Sequence, residues 1–318
     1  MEDTLRWSLV TAVAPVAWGA NYYVTQAFLP AGQPLYGAAI RALPAGLLLL
    51  AVARALPRGS WWWKSLLLGT LNMGGFFALV YLAAQRLPSS VASTVMAAAP
   101  LVLMLIAWPL TAERPAPRHL AAAGVGVAGV ALMLLGADTA VDALGACAAA
   151  AAMVMSCLGF VLAKRWYQAD GAAAPGILAS TAWQLVGGGL LLLPLAVGVE
   201  GGPPAVDGPA LLGFGYTAVP ATAVAFAAWF AGMRRLPAAT VGLVGLLNPV
   251  TGVLLGTLVA GESLAPRQLC GLLLALVGIL LGRPAPGRPP VSRSTAPPPQ
   301  RAARACPAEP GRGPGTGT

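Results

Sequence analysis

Residues 86–118 read RLPSSVASTVMAAAPLVLMLIAWPLTAERPAPR, and residues 235–267 read RLPAATVGLVGLLNPVTGVLLGTLVAGESLAPR. A shift of 149 positions lays Arg86-Leu87-Pro88 on Arg235-Leu236-Pro237, Pro100 on Pro249, Glu113 on Glu262 and Arg118 on Arg267, and continues without a gap to lay Gly129 on Gly278. A shift of 143 lays Arg41 on Gln184, Gly46 on Gly189, and Leu47 to Leu50 on Leu190 to Leu193. Leucine opposite leucine is cheap in an apolar chain. The ordered coincidence of Pro, Glu, Arg and Gly is not, and it marks an internal repeat.

The solvent for this repeat follows from composition. Of 318 residues 58% are hydrophobic and only 9% charged, against roughly 45–50% and about 25% in soluble domains. Residues 283–318 contain no Leu, Ile or aromatic residue but six Arg and many Pro and Gly; they cannot bury enough apolar surface to offset their ordering entropy and are expected to form a disordered basic tail. The remaining chain holds about ten membrane spans at about 20 residues each. The apolar runs put them at 7–28, 35–53, 65–84, 88–111, 119–136, 143–163, 177–197, 210–232, 237–260 and 267–282, separated by segments such as Pro30-Ala31-Gly32-Gln33-Pro34 and Gly201-Gly202-Pro203-Pro204. The first run is kept as a span rather than a cleaved leader, because Glu2 and Asp3 spoil a basic start and apolar sequence continues to Phe28.

Lys and Arg are retained on the cytoplasmic side. With the N-terminus inside, sixteen cations fall in cytoplasmic segments, only Arg86 and Arg267 fall outside, and Arg41 alone lies within a span. The expected fold is therefore an all-α integral membrane protein of ten transmembrane helices with both termini cytoplasmic. Its units are a first five-helix repeat over 1–136, a second over 143–282, and the tail over 283–318. Five is odd, so the second repeat enters the membrane from the opposite face, the inverted-topology arrangement that lets two packings expose one midplane site to either side in turn.

Trp18-Gly19-Ala20-Asn21 in the first span, Arg41 opening a Leu-rich second, Pro100 within the fourth and Ala112-Glu113-Arg114 before a Gly-rich fifth resemble the EamA-type pattern of the drug/metabolite transporter superfamily. The second half repeats it as Asn248-Pro249, Gly261-Glu262-Ser263 and the Gly-spaced run from Gly271 to Gly282, although the sixth span has no aromatic-Gly pair matching Trp18-Gly19. The resemblance covers about residues 7–282. It implies a ten-helix carrier in a bacterial inner membrane that moves amino acids, metabolites or drugs, mostly outward.

Polar side chains inside lipid turn toward the bundle interior or a water-filled cavity. Trp18, Asn21 and Tyr22 share one helical face, and Trp18 and Asn21 lie about 16 and 21 Å along their helix, below the interfacial aromatic belt. They are candidate cavity-wall residues. Arg41 has two readings. It snorkels to the outer interface about 9 Å away, or it faces the cavity and meets a substrate carboxylate or freed backbone carbonyls; its mate Gln184 is too short to snorkel, which favours the cavity. Asn248 joins this candidate pathway. Pro100 and Pro249 each remove a helical hydrogen bond near mid-span and are candidate hinges. Glu113 and Glu262 end the fourth and ninth spans on opposite faces and are either solvated helix ends or anchors for gate contacts. The Gly252/Gly256 and Gly278/Gly282 pairs suit close helix packing, Cys147, Cys157 and Cys270 read as small buried residues, and Trp61-Trp62-Trp63 reads as an interfacial anchor.

Other functions lack the required groups. A nucleic-acid binder gathers its basic residues on one face, whereas here they punctuate apolar runs. One His and four scattered Cys support neither a zinc site nor a disulfide framework, and no cofactor motif is present. An intramembrane enzyme needs a nucleophile with a base, or paired carboxylates, within the bilayer. None of the ten carboxylates lies at mid-depth in a span, which points to facilitated or exchange transport, or to coupling through an interfacial Glu. The expected partners are a small-molecule substrate and the lipid bilayer, with oligomeric state open, a homodimer included. An uptake permease of the same fold, a channel and a structural membrane component are the alternative readings.

Overall fold

The computed structural model describes residues 2–30, 32–86, 95–134, 142–258 and 266–282. Every regular element among the described residues is helical. The elements are α1 (Glu2–Phe28), α2 (Pro34–Ala53), α3 (Trp61–Gly69), α4 (Gly75–Arg86), α5 (Ala99–Thr111), α6 (Pro117–Leu134), α7 (Ala143–Asp170), α8 (Ile177–Glu200), α9 (Gly208–Ala218), α10 (Ala225–Arg235), α11 (Ala238–Gly245), α12 (Leu247–Leu258) and α13 (Pro266–Leu281). A π-turn at Thr70–Gly74 joins α3 to α4, and a second at Val219–Val224 joins α9 to α10, so residues 61–86 and 208–235 each run as one loosened rod. Among the described residues, Pro34–Ala53, Ala143–Ala173, Ile177–Glu200 and Gly208–Arg235 are long and apolar enough to cross a membrane, and Ala99–Thr111, Ala238–Gly252 and Leu269–Leu281 are shorter apolar helices.

Helix ends overrun the apolar runs read from sequence. The α1 helix starts at Glu2 rather than residue 7, and α7 continues to Asp170 rather than residue 163, because a helix continues beyond its apolar stretch wherever polar residues and a cap complete its backbone bonding. Asp142 caps α7 by accepting from the Gly145 N–H at 2.7 Å, and Asp207 caps α9 by accepting from Ala210 at 2.8 Å. Glu200, at the end of α8, caps a neighbour instead. Its two carboxylate oxygens accept from Leu35 and Tyr36 at 2.6 and 2.9 Å, satisfying the first turn of α2.

The interior is rich in alanine among larger side chains such as Phe230 and Leu185, and the exterior carries large apolar residues. Ala14, Ala38, Ala42, Ala45, Ala152 and Ala163 have no exposed surface, whereas Leu47, Leu190, Leu211, Leu212 and Leu273 are more than half exposed. A soluble protein hides such a shell; a membrane protein turns it to lipid. Small interior residues let backbones approach. α2 lies along α8, where a Cβ on Gly46 would stand 2.8 Å from Val186 N and one on its repeat mate Gly189 2.7 Å from Leu43 Cγ. α6 lies along α13 in the same manner, Gly129 against Ala275 and Gly278 against Ala122.

Two sequence expectations need correction. Cys147 and Cys270 are exposed, and of the cysteines expected in the interior only Cys157 is there, because the helix faces carrying the other two look away from the bundle. Trp62 and Trp63 are 60% and 54% exposed as an interfacial anchor requires, but Trp61 is 6% exposed. It turns inward to donate from Nε1 to Asp170 at 2.8 Å and to stack on Tyr167.

Candidate functional site

A π-turn spreads its backbone bonds to i+5, leaving carbonyls available to other donors, and such turns recur at functional sites. In the second π-turn the Ala225 N–H reaches back to the Pro220 carbonyl, five residues earlier. The Ala221 carbonyl then serves two side chains from the first half of the chain. Trp18 donates to it from Nε1 at 3.0 Å, and Arg41 from Nη2 at 3.3 Å. Arg41 Nε donates to Thr222 Oγ1 at 3.0 Å, and its guanidinium lies 4.6 Å from the centre of the Phe77 ring. Arg41 is 9% exposed, with its guanidinium turned into the bundle.

Trp18 continues the site as an aromatic wall. Its ring is 5.0 Å from Phe226 and 5.3 Å from Trp229, and Trp229 lies 5.5 Å from Phe160. Among the described residues, five buried side-chain polar atoms have no hydrogen-bond partner, three of them on α1, α10 and α12: Asn21 Oδ1, Trp229 Nε1 and Asn248 Oδ1; the others are Ser65 Oγ and Asn72 Oδ1. Both α10 and α12 pack directly on α1, and the Asn248 backbone carbonyl would stand 2.5 Å from a Cβ on Gly19. Leaving such atoms unpaired costs about 1–3 kcal/mol each, so a polar ligand or water entering here gains what the protein has left unmade. The side chain of Tyr22 lies outside the described residues.

Gln184 is placed apart from this cluster. It is fully buried, accepts from Asn72 Nδ2 at 2.9 Å and donates to the Ser180 carbonyl at 3.2 Å. Asn72 belongs to the first π-turn. Gly69 closes over the pair, its missing Cβ 2.7 Å from the Gln184 carbonyl. This end of the 143-residue match is a closed amide pair.

Pro100 is the second residue of α5, just after a turn at Ala98, and Pro249 is the third of α12, just after the break at Leu246. Each proline therefore stands in the first turn of the helix that follows an interruption, where its missing N–H forfeits no intrahelical bond. Pro100 also packs against Gly242 of α11. Glu113 follows Ala112, whose left-handed backbone (φ 57°) ends α5. Its Oε2 accepts from the Ala238 N–H at 2.8 Å and its Oε1 lies 2.5 Å from Lys164 Nζ. Glu262 lies outside the described residues.

Several participants are not singled out from sequence, Phe77, Phe226 and Trp229 among them. Lys164 registered only as one more retained cation. Asn72 and Thr222 are polar residues in otherwise apolar runs, and that signal could have found them. Pro220 drew no weight because its 149-residue mate is Leu71, yet it sits inside the second π-turn.

These features define a polytopic helical membrane protein with a polar and aromatic site enclosed between helices of its two halves. The model of the EamA-like transporter family matches residues 5–135 and again 143–282, and the chain belongs to that family, one of membrane transporters and not of enzymes. It is similar to Protein PecM of Dickeya dadantii, 35% identical over 268 residues that cover 84% of this chain and 89% of that protein. It is also similar to the uncharacterized inner membrane transporter YedA of Escherichia coli K12, 26% identical with 84% and 88% covered. A solved crystal structure shares the fold with a TM-score of 0.75 at 21% identity, covering 87% of this chain and 97% of that one.

Proposed function

We propose that this protein is an inner-membrane exporter of small carboxylate-bearing metabolites, amino acids or drugs. It works by alternating access of two inverted five-helix repeats, 1–136 and 143–282, in ten crossings with cytoplasmic termini, and residues 283–318 form a solvated tail. The observation that carries the reading is the meeting of Trp18, Arg41 and the Ala221 carbonyl at a π-turn, with unpartnered buried oxygens at Asn21 on the helix of Trp18 and at Asn248 on a helix packed against it. Arg41 binds the carboxylate, the Trp18–Phe226–Trp229 wall takes the apolar part, and the two asparagines accept from donors on the ligand. The repeat reading is supported by the 149-residue match, by the two π-turns that obey it and by the paired glycine contacts of α2 with α8 and α6 with α13. Export is the direction that the family resemblance implies.

Comparing metabolites in medium from overexpressing and deletion cells identifies the cargo, which should accumulate outside the overexpressing cells. Counterflow in proteoliposomes with that cargo should then show trans-acceleration. A flux that does not saturate and is not trans-accelerated marks a channel and overturns the carrier reading, and accumulation inside overexpressing cells overturns the direction.

A further inference from the structure

The corner between α10 and α11 is only Leu236-Pro237, and proline has no N–H to contribute. Its flanking polar groups are both taken by one ion pair. Lys164 Nζ, on α7, donates to the Leu236 carbonyl at 2.6 Å and lies 2.5 Å from Glu113 Oε1. Glu113 Oε2 accepts from the Ala238 N–H at 2.8 Å. Lys164 is 3% exposed, and removing one partner of such a pair leaves an uncompensated buried charge. The corner is thereby tied to the end of α5 and to α7 by directional bonds as well as by packing. A recess of about 260 Å³ lined by Met104, Ala107, Glu113, His119 and Ala238 adjoins it, which gives the corner room to move once released.

The 149-residue shift carries the corner to Leu87-Pro88 and Glu113 to Glu262, and the order of the spans carries α7 to α1, which has no Lys or Arg after Arg6. The cation that precedes the equivalent corner, Arg86, lies 3.9 Å from Asp142 instead.

We propose that Lys164 is a positioning residue for transport: with Glu113 it latches the 236–238 corner and biases the carrier toward the state closed at that end, the end that the distribution of cations assigns to the cytoplasm. The inference rests on the alternating-access reading above. Opening the cytoplasmic end then requires Lys164 to leave Leu236 and Glu113 to leave Ala238.

The test uses the full-length protein in lipid nanodiscs, with Cys147, Cys157, Cys270 and Cys306 replaced. Spin labels at Arg114→Cys and Arg235→Cys report the latched end, and labels at Arg86→Cys and Asp207→Cys report the other. Lys164→Met should shift the ratio of long to short distances at the latched end by roughly tenfold or more, and Lys164→Arg, which keeps charge and donors, should retain the parent distribution. Glu113→Gln, which keeps an acceptor for Ala238, should shift it in the same direction by less. An unchanged distribution in folded Lys164→Met overturns the latch; where that variant does not fold, an unchanged distribution in Glu113→Gln does so. Widening at the latched end with no narrowing at the other supports the latch and refutes alternating access. An unmoved latched end, with two exchanging populations at the other, refutes the latch alone.

Discussion

At residues 70–74 and again at 219–224 the chain loosens from α-helix into a π-turn, 149 positions apart, and the two turns are closed by different chemistry. In the first, Asn72 meets Gln184 in a neutral pair with both residues fully buried and a backbone pressed over them. In the second, Thr222 and the Ala221 carbonyl meet a guanidinium and an indole. The same position in the repeat thus supplies glutamine on one side and arginine on the other. The neutral amide pair ties Asn72 to Gln184 and leaves the Asn72 Oδ1 unpartnered. A guanidinium over a peptide carbonyl can exchange that acceptor for a carboxylate, which offers two parallel hydrogen bonds and an opposite charge. The two loosened turns stand 149 positions apart and differ in the charge of the side chain that meets them, neutral at the first and cationic at the second.

The most severe way to break this contrast is Gln184→Arg, which forces a cation into a fully buried amide pocket. It should abolish the folded protein, seen as loss from the membrane fraction; normal membrane levels would show that the first π-turn has room for a ligand after all. Arg41→Gln makes the second site resemble the first and should reduce transport of carboxylate substrates by roughly a hundredfold at unchanged membrane abundance, the equivalent of about 2.7 kcal/mol. Neutral substrates should change by no more than a few-fold, and equal loss for both classes would reduce Arg41 to a structural brace. Asn72→Ala removes the donor to Gln184 and should cost about 1–3 kcal/mol, read as a lower melting temperature in detergent with substrate preference unchanged. Pro100→Ala and Pro249→Ala, at the matched helix breaks, should slow turnover a few-fold more than they weaken binding, and a pure affinity loss would argue against a hinge. Deleting 283–318 should leave transport within experimental error of the full chain.

Helix positions were legible in sequence because lipid demands long apolar runs, and the repeat was legible because Pro, Glu and Arg recur in order through them. The shared face of Trp18 and Asn21 was legible because helical spacing is geometric. The π-turns were not. Thr-Leu-Asn-Met-Gly and Val-Pro-Ala-Thr-Ala-Val have the composition of any membrane helix, and their hydrogen-bond partners lie more than a hundred residues away, Gln184 accepting from Asn72, and Trp18 and Arg41 donating to Ala221. Lys164 escaped for a related reason. Counting cations says on which side a lysine resides, and only the folded chain shows that Leu236 and Glu113 hold it.

The alanine interior has a consequence for how such a carrier can diversify. Where Ala38, Ala42, Ala45 and Ala152 leave no exposed surface, any larger side chain must push two backbones apart, while leucines on the outer shell exchange for other apolar residues at little cost. A map of tolerated substitutions would therefore be turned inside out relative to a soluble enzyme: bulky positions permissive, tiny ones intolerant. New cargoes are then most readily acquired through large side chains that reach inward beside Arg41, such as Trp18 and Phe77.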